Sequence, residues 1–139
     1  QPIRQVLKQE VNKMAVEGLL YTNDHEWVKI EGDTATVGIT DYAQEQLGEI
    51  TFVELPVVDK QYGVHEEIGV VESSKAASDV YSPVAGTVIE INSELEDKPE
   101  QINEDCYGAG WICKIKMASG ASTDGLMDAK GYEAYLSEL

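Results

Sequence analysis

The sequence predicts a mainly β fold, a small barrel or sandwich with a few helices at its periphery. Three observations predict it. Apolar and polar residues alternate in short runs, turn-forming residues separate those runs at short intervals, and helical spacing is confined to a few segments. In addition, Gly86-Thr-Val-Ile-Glu-Ile-Asn92 loosely echoes Asp33-Thr-Ala-Thr-Val-Gly-Ile39. Such an echo suggests two similar halves that close on each other and limit exposed strand edges.

In chain order, Trp27-Val-Lys-Ile30 and Thr34-Ala-Thr-Val-Gly-Ile39 flank Glu31-Gly-Asp33, a hairpin signal. Asp41-Tyr-Ala-Gln-Glu-Gln-Leu47 reads as a helix, with Asp41 as the cap, Gln44 three residues later and Gly48 as the stop. Ile50 to Leu55 alternates and is closed by Pro56. Strands follow over Glu67–Glu72, Val80–Tyr81, Gly86–Asn92 and Gly110–Met117. Pro99-Glu-Gln-Ile-Asn103 suits one helical turn with Pro99 at its first position. The tail from Asp124 to Leu139 spaces Leu126, Met127, Tyr132, Tyr135 and Leu136 as a C-terminal helix, its aromatics serving the core rather than a ligand cage. Residues 1–13 read as an upstream extension, of the kind an expression vector leaves, before a natural start at Met14; residues 14–139 read as one domain.

The charge narrows the partners. The net charge is −16, and residues 1–13 hold Arg4, Lys8 and Lys13 against Glu10, a net of +2 that leaves −18 on the remainder. That surface repels nucleic acid and anionic membrane and favours fast, salt-sensitive encounters with basic patches on proteins. No apolar run approaches the roughly 20 residues of a membrane span, and no segment has the pattern of a secretory signal. Cys106 and Cys113 are too far apart for a Cys-x-x-Cys site, and with only His25 and His65 available a zinc site is not expected. Cys113, alternating with polar neighbours, reads as a small buried hydrophobe.

Lys75 carries the functional signal. It stands in Gly69-Val-Val-Glu-Ser-Ser-Lys75-Ala-Ala-Ser-Asp-Val-Tyr-Ser-Pro-Val-Ala-Gly86, between two short strands and among small side chains. The tip lacks the Gly and Asn that positive-φ hairpin turns want. Ser74-Lys75-Ala76-Ala77 suits a type I turn, with Ser74 first and Lys75 projecting from the apex. An exposed amine is protonated at neutral pH and is no nucleophile, so Schiff-base catalysis is not expected. Acylation by a dedicated ligase fits, since that enzyme supplies the activated acyl group and the base. A plain solvated turn lysine is the competing reading, and the small flanks with Ser82-Pro83-Val84-Ala85-Gly86 beyond weigh against it.

These residues resemble the glycine cleavage system H protein family from about Tyr21 to Leu139. The similarity runs through Asp24-His-Glu-Trp27, Ala35 to Gly48, Phe52-Val-Glu-Leu-Pro56, Val70 to Asp79, and Asn103-Glu-Asp-Cys-Tyr-Gly-Ala-Gly-Trp111. Two departures stand out: Ser74 replaces a β-branched residue before the lysine, and Cys106 stands where the family usually has proline.

The resemblance implies a lipoyl-domain type of barrel–sandwich hybrid and lipoic acid joined to Lys75 as an amide. It implies a non-catalytic carrier. This carrier takes the aminomethyl group of glycine from a pyridoxal-phosphate glycine decarboxylase (P protein) to a tetrahydrofolate-dependent aminomethyltransferase (T protein). Electrons pass to dihydrolipoamide dehydrogenase (L protein), and a lipoate ligase or lipoyl transferase attaches the cofactor. Glu26 and Asp79 are implied as partners of the loaded amine in a surface cleft, with His25 a weaker candidate and His65 weaker still. A monomer in the bacterial cytoplasm is expected, the mitochondrial matrix being the alternative. Alternatives in function are a lipoate relay, or a lipoyl or biotinyl domain of another complex, although biotinyl domains usually flank their lysine with Met where Ser74 and Ala76 stand here. An enzyme with a Cys or His nucleophile finds no supporting spacing.

Overall fold

The computed structural model describes residues 15–139; the reading of residues 1–13 as an extension, and of Met14 as the start, lies outside them. Among the described residues nine strands form two sheets. They are β1 (Leu20–Tyr21), β2 (Glu26–Glu31), β3 (Thr34–Ile39), β4 (Ile50–Glu54), β5 (Gln61–Tyr62), β6 (Glu67–Ser73), β7 (Ala77–Tyr81), β8 (Gly86–Ile91) and β9 (Cys113–Met117). The six-stranded sheet has the order β1-β2-β3-β9-β8-β5, and the three-stranded sheet the order β4-β6-β7. Neither order returns to its start, so the architecture is a sandwich and not a closed barrel. The paired strands are antiparallel.

The alternation read from the sequence is what puts the core between the sheets. Val28, Val37, Val88 and Ile115 from the larger sheet join Val53, Val71 and Val80 from the smaller in one buried apolar cluster. A second cluster gathers Tyr21, Trp27, Tyr132 and Leu136 where the C-terminal helix packs. Cys106 and Cys113 are both buried free thiols. Burial pushes each up to about 12, so neither is a thiolate at neutral pH.

The echoing segments occupy β3 and β8, and both pair with β9, one on each side. They are neighbours of one central strand in the same sheet. Among the described residues there are four helices: α1 (Asp41–Leu47), α2 (Glu94–Asp97), α3 (Gln101–Glu104) and α4 (Ala129–Ser137).

Several boundaries differ from expectation for local reasons. Thr40, not Asp41, caps α1: its hydroxyl accepts the Ala43 N–H, while Asp41 takes the Gln44 side chain at 2.7 Å. The turn expected from Pro99 starts at Gln101, after Glu100 as its cap. Leu126 and Met127 lie outside α4, because Met127 and Tyr21 exchange two backbone hydrogen bonds of 2.7 Å. Asp128 then caps the helix by accepting the Gly131 N–H at 2.8 Å. Residues 110–112 precede β9, since Gly110 and Trp111 donate back to Asp105 and Gly108 in a turn. The two-residue strands β1 and β5 and the helix α2 carry too little periodicity to be read from sequence.

Candidate carrier site

The β6–β7 hairpin ends in a tight turn built by one hydroxyl. The ladder's last pair is Glu72↔Ala77, after which Ser73 N–H donates to the Ala76 carbonyl at 2.8 Å. Ser73 Oγ accepts the N–H of Lys75 at 3.3 Å and of Ala76 at 3.2 Å. The loop is therefore Ser74-Lys75, and the turn starts at Ser73, one residue before the Ser74 start expected. Lys75 sits at the third turn position, still at the apex. Neither loop residue has positive φ; among the described residues that conformation falls on non-glycine His25, Asp59 and His65.

The amine at this apex is open. Residues 74–79 are all exposed, and Lys75 enters neither of the ion pairs found among the described residues. Its stem lies beside Gly48, the residue that ends α1 at φ +84. A Cβ at Gly48 would stand 3.4 Å from Lys75 Cε. Asn103 fixes this seat by donating to the Gly48 carbonyl at 2.9 Å and to Gln44 Oε1 at 2.7 Å, and by accepting the Ile50 N–H at 2.8 Å. Sequence reasoning missed the roles of Gly48 and Asn103, although both lie inside quoted motifs. These residues leave space for an acyl group: an unpaired amine, small neighbours and a glycine floor.

Glu26 and Asp79 contact opposite ends of Tyr81, Glu26 its backbone and Asp79 its phenol. Asp79 is not among the residues that line the cavity beside Glu26. Glu26 is 1% exposed. Its Oε1 accepts the Thr22 hydroxyl at 2.8 Å and its Oε2 the Tyr81 N–H at 2.9 Å. Burial raises its pKa to about 7, the two hydrogen bonds opposing that rise only in part. Asp79 is exposed on β7, where the Tyr81 phenol donates to its Oδ2 at 3.4 Å. The charge on Asp79 is the main reason the Tyr81 phenol ionises less readily than usual. Along the strand, Asp79 is four residues and Tyr81 six residues from Lys75, roughly 13 and 20 Å at the usual β rise. A cavity of about 90 Å³ lies against Glu26, lined also by Thr22, His65 and Ser82.

The two histidines occupy different surroundings. His25 is not among the cavity residues. It holds φ +68, its Nδ1 is 2.7 Å from the Tyr132 hydroxyl, and its ring packs 4.5 Å from Tyr42 and 5.8 Å from Tyr135. Burial lowers its pKa. His65 is the histidine at the cavity, with Nδ1 3.6 Å from Asp24 Oδ2. Among the described residues no cluster of three or more potential metal ligands occurs, and no helix is long and apolar enough to cross a membrane.

Comparison with known proteins finds similar chains and a similar fold. A family profile described as "Glycine cleavage H-protein" matches residues 19–139. The glycine cleavage system H protein of Halothermothrix orenii is 50% identical over 123 residues, covering 88% of this chain and 96% of that protein. That of Burkholderia ambifaria is 57% identical over 115 residues, covering 82% and 90%. A crystal structure of a glycine cleavage system H protein from Mycobacterium marinum superposes with a TM-score of 0.80 at 36% identity, covering 89% of this chain and 99% of that one.

Proposed function

The chain belongs to the glycine cleavage H-protein family, and from that premise we propose that Lys75 carries lipoic acid as an amide and serves the system's enzymes in turn. Held there, the cofactor would supply a disulfide able to accept a one-carbon amine from one enzyme and to be reoxidised by another. The chain's own residues do the rest. Ser73 shapes the apex, Gly48 leaves clearance for the stem, and Asn103 holds Gly48 in place.

Glu26 and Asp79 offer carboxylates to a primary ammonium at the other end of the hairpin. A charge-assisted contact to a buried carboxylate such as Glu26 is stronger than one in open water, and a cavity that excludes water protects a hydrolysable group. The carrier visits glycine decarboxylase, aminomethyltransferase and dihydrolipoamide dehydrogenase, and a lipoate ligase or transferase loads it. Its charge of −16 suits basic docking faces on those enzymes and disfavours a second copy of itself, so it travels as a monomer. The relatives described above are bacterial, which supports the bacterial cytoplasm as its compartment.

The observation that carries this reading is the exposed, unpaired amine of Lys75 at a hairpin apex in a chain of this family. The test is glycine–bicarbonate exchange by purified glycine decarboxylase supplied with the lipoylated protein. Exchange that depends on added protein is expected. Lipoylated protein that supports none would overturn the glycine-cleavage role and leave lipoate relay in its place. Intact mass of protein from its native host separates lipoyl from biotinyl loading.

A further inference from the structure

One wall of the cavity beside Glu26 comes from the connection between β9 and α4, through Ser122, Gly125 and Leu126. This connection is anchored at its two ends. The Ala118 N–H donates to the Ala85 carbonyl at 2.9 Å, and Met127 and Tyr21 exchange two backbone bonds of 2.7 Å. Between those anchors the hydrogen bonds found among the described residues are local. The Ala121 N–H donates to the Ala118 carbonyl at 2.9 Å, the Leu126 N–H to the Thr123 carbonyl at 3.0 Å, and the Asp124 N–H to Ser122 Oγ at 3.1 Å.

Residues 119–126 form a strap with no buried member. Gly120 holds φ +78, and a Cβ at Gly125 would meet nothing within 4 Å. Leu126, half-buried, is the strap residue that packs against the main apolar cluster. Swinging the strap between its anchors breaks none of its local bonds; what is lost is the apolar contact of Leu126. The same side chain therefore closes the cavity and holds the strap down.

The cavity is small for a carrier. Its volume of about 90 Å³ is room for roughly three waters at about 30 Å³ each, whereas a cavity of about 150 Å³ is needed to take a benzene ring. A bare methylammonium head fits beside Glu26 with the strap in place. A five-membered ring behind that head does not.

We propose that residues 119–126 are a movable wall of this cavity and that Leu126 is the plug whose displacement sets the size of the group admitted to Glu26. With Leu126 seated, the site takes a bare primary ammonium. With the strap swung outward about Ala118 and Met127, it takes an ammonium carried on a saturated ring. Leu126 bears no charge, so it selects by size alone. The inference rests on the reading of Glu26 as an amine-receiving group and adds the element that gives the amine its way in.

Two probes separate these sizes: methylammonium and cyclopentylmethylammonium, each titrated at pH 8.5 and constant ionic strength into the full chain with Lys75 unmodified. That pH lies above the Glu26 pKa of about 7, so the carboxylate is present. Amide NMR reads the Tyr81 N–H, which Glu26 Oε2 accepts, and the strap N–H groups of Ala121, Asp124 and Leu126. In the parent both amines should shift Tyr81, and the ring amine alone should shift the strap. Leu126→Ala should bind the ring amine roughly fivefold more tightly, because about half a leucine's burial no longer has to be given up. Its methylammonium binding should not change, and Leu126→Met, of similar volume, should match the parent throughout.

Hydrogen exchange of the free parent gives a second readout. Exchange at Ala121 and Leu126 should ignore urea below the unfolding transition, whereas exchange at Tyr21 and Met127 should accelerate with it. Strap amides that exchange only through global unfolding overturn the movable wall. Equal ring-amine affinity in the parent and Leu126→Ala overturns the plug. If neither amine shifts Tyr81 in any of the three proteins, Glu26 receives no amine, and the reading beneath this inference falls with it.

Discussion

Glu26 accepts the backbone N–H of Tyr81 through Oε2 at 2.9 Å, tying the first residue of β2 in one sheet to the last residue of β7 in the other. Through that contact a buried carboxyl is joined to the hairpin whose far end presents Lys75. Asp79 completes the arrangement on the outer surface, bound by the phenol of the same tyrosine.

The amine of Lys75 should be replaceable without cost to the fold. Lys75→Arg keeps the charge but gives a ligase no amine to acylate. Intact mass after incubation with lipoate ligase, ATP and lipoate should show no gain for this variant and one lipoyl group on the parent. Its melting temperature should stay within about 2 °C, since the side chain is exposed and unpaired. An unfolded variant would make Lys75 a structural residue.

Ser73 should set how well the apex is presented. Ser73→Ala removes the acceptor for two loop N–H groups and should cost about 1 kcal/mol. Hydrogen exchange at Ala76 should accelerate and the ligase's KM for the protein should rise, with global unfolding almost unchanged in denaturant slope. Unaltered exchange at Ala76 would exclude this role.

Glu26 makes stability depend on pH with a definite sign. Its folded pKa of about 7 lies above the 4.5 of the free group, so between those values the folded state binds more protons and stability falls as pH rises. The full effect is on the order of 3 kcal/mol. Glu26→Gln can keep its oxygen toward the Tyr81 N–H and its amide toward Thr22, and it should remove this slope. Urea unfolding of both proteins at pH 5 and pH 8 measures the difference; equal slopes would show Glu26 to be an ordinary carboxylate.

His25 should act oppositely and through structure. Burial holds it neutral, so stability is present above the unfolded-state pKa near 6.5 and is lost as pH falls toward its lower folded value. His25→Asn keeps the left-handed backbone but gives up the contacts to Tyr42, Tyr132 and Tyr135. A loss of about 1–3 kcal/mol is expected, with lipoylation of Lys75 unaffected. Lost lipoylation in a folded variant would place His25 in the carrier site after all.

Gly86 has no room for a side chain. A Cβ there would meet the Lys116 carbonyl and stand 2.6 Å from Ile115 Cγ2, both on the paired strand β9. Gly86→Ala should destabilise by about 2–3 kcal/mol, seen as a lower urea midpoint, and a neutral result would mean that β8 and β9 shift apart freely.

Much of this was legible in the residues because it is local. Alternation assigned β2, β3, β4, β6 and β8 within a residue or so, since a strand's two faces are written two residues apart. Lys75 stood out for the same kind of reason: its neighbours are small, and smallness is visible in sequence. What escaped was the set by contact across the fold. Val80–Tyr81 gave only the end of β7, whose first residues are exposed and small and gain their strand form from pairing with β6. Met127 has helical spacing, yet Tyr21, far away in the chain, holds it extended.

From its residues alone, then, this chain determined a β-rich carrier of its family, an apex lysine and a strongly acidic surface. Periodicity, side-chain size and charge are properties that each residue carries with it. The tertiary structure alone decided that Glu26 is buried against Tyr81, that Gly48 forms the floor under Lys75, and that His65 and not His25 faces the cavity. Those outcomes depend on which distant backbones pack together, because burial and contact arise only when separate strands share one interior.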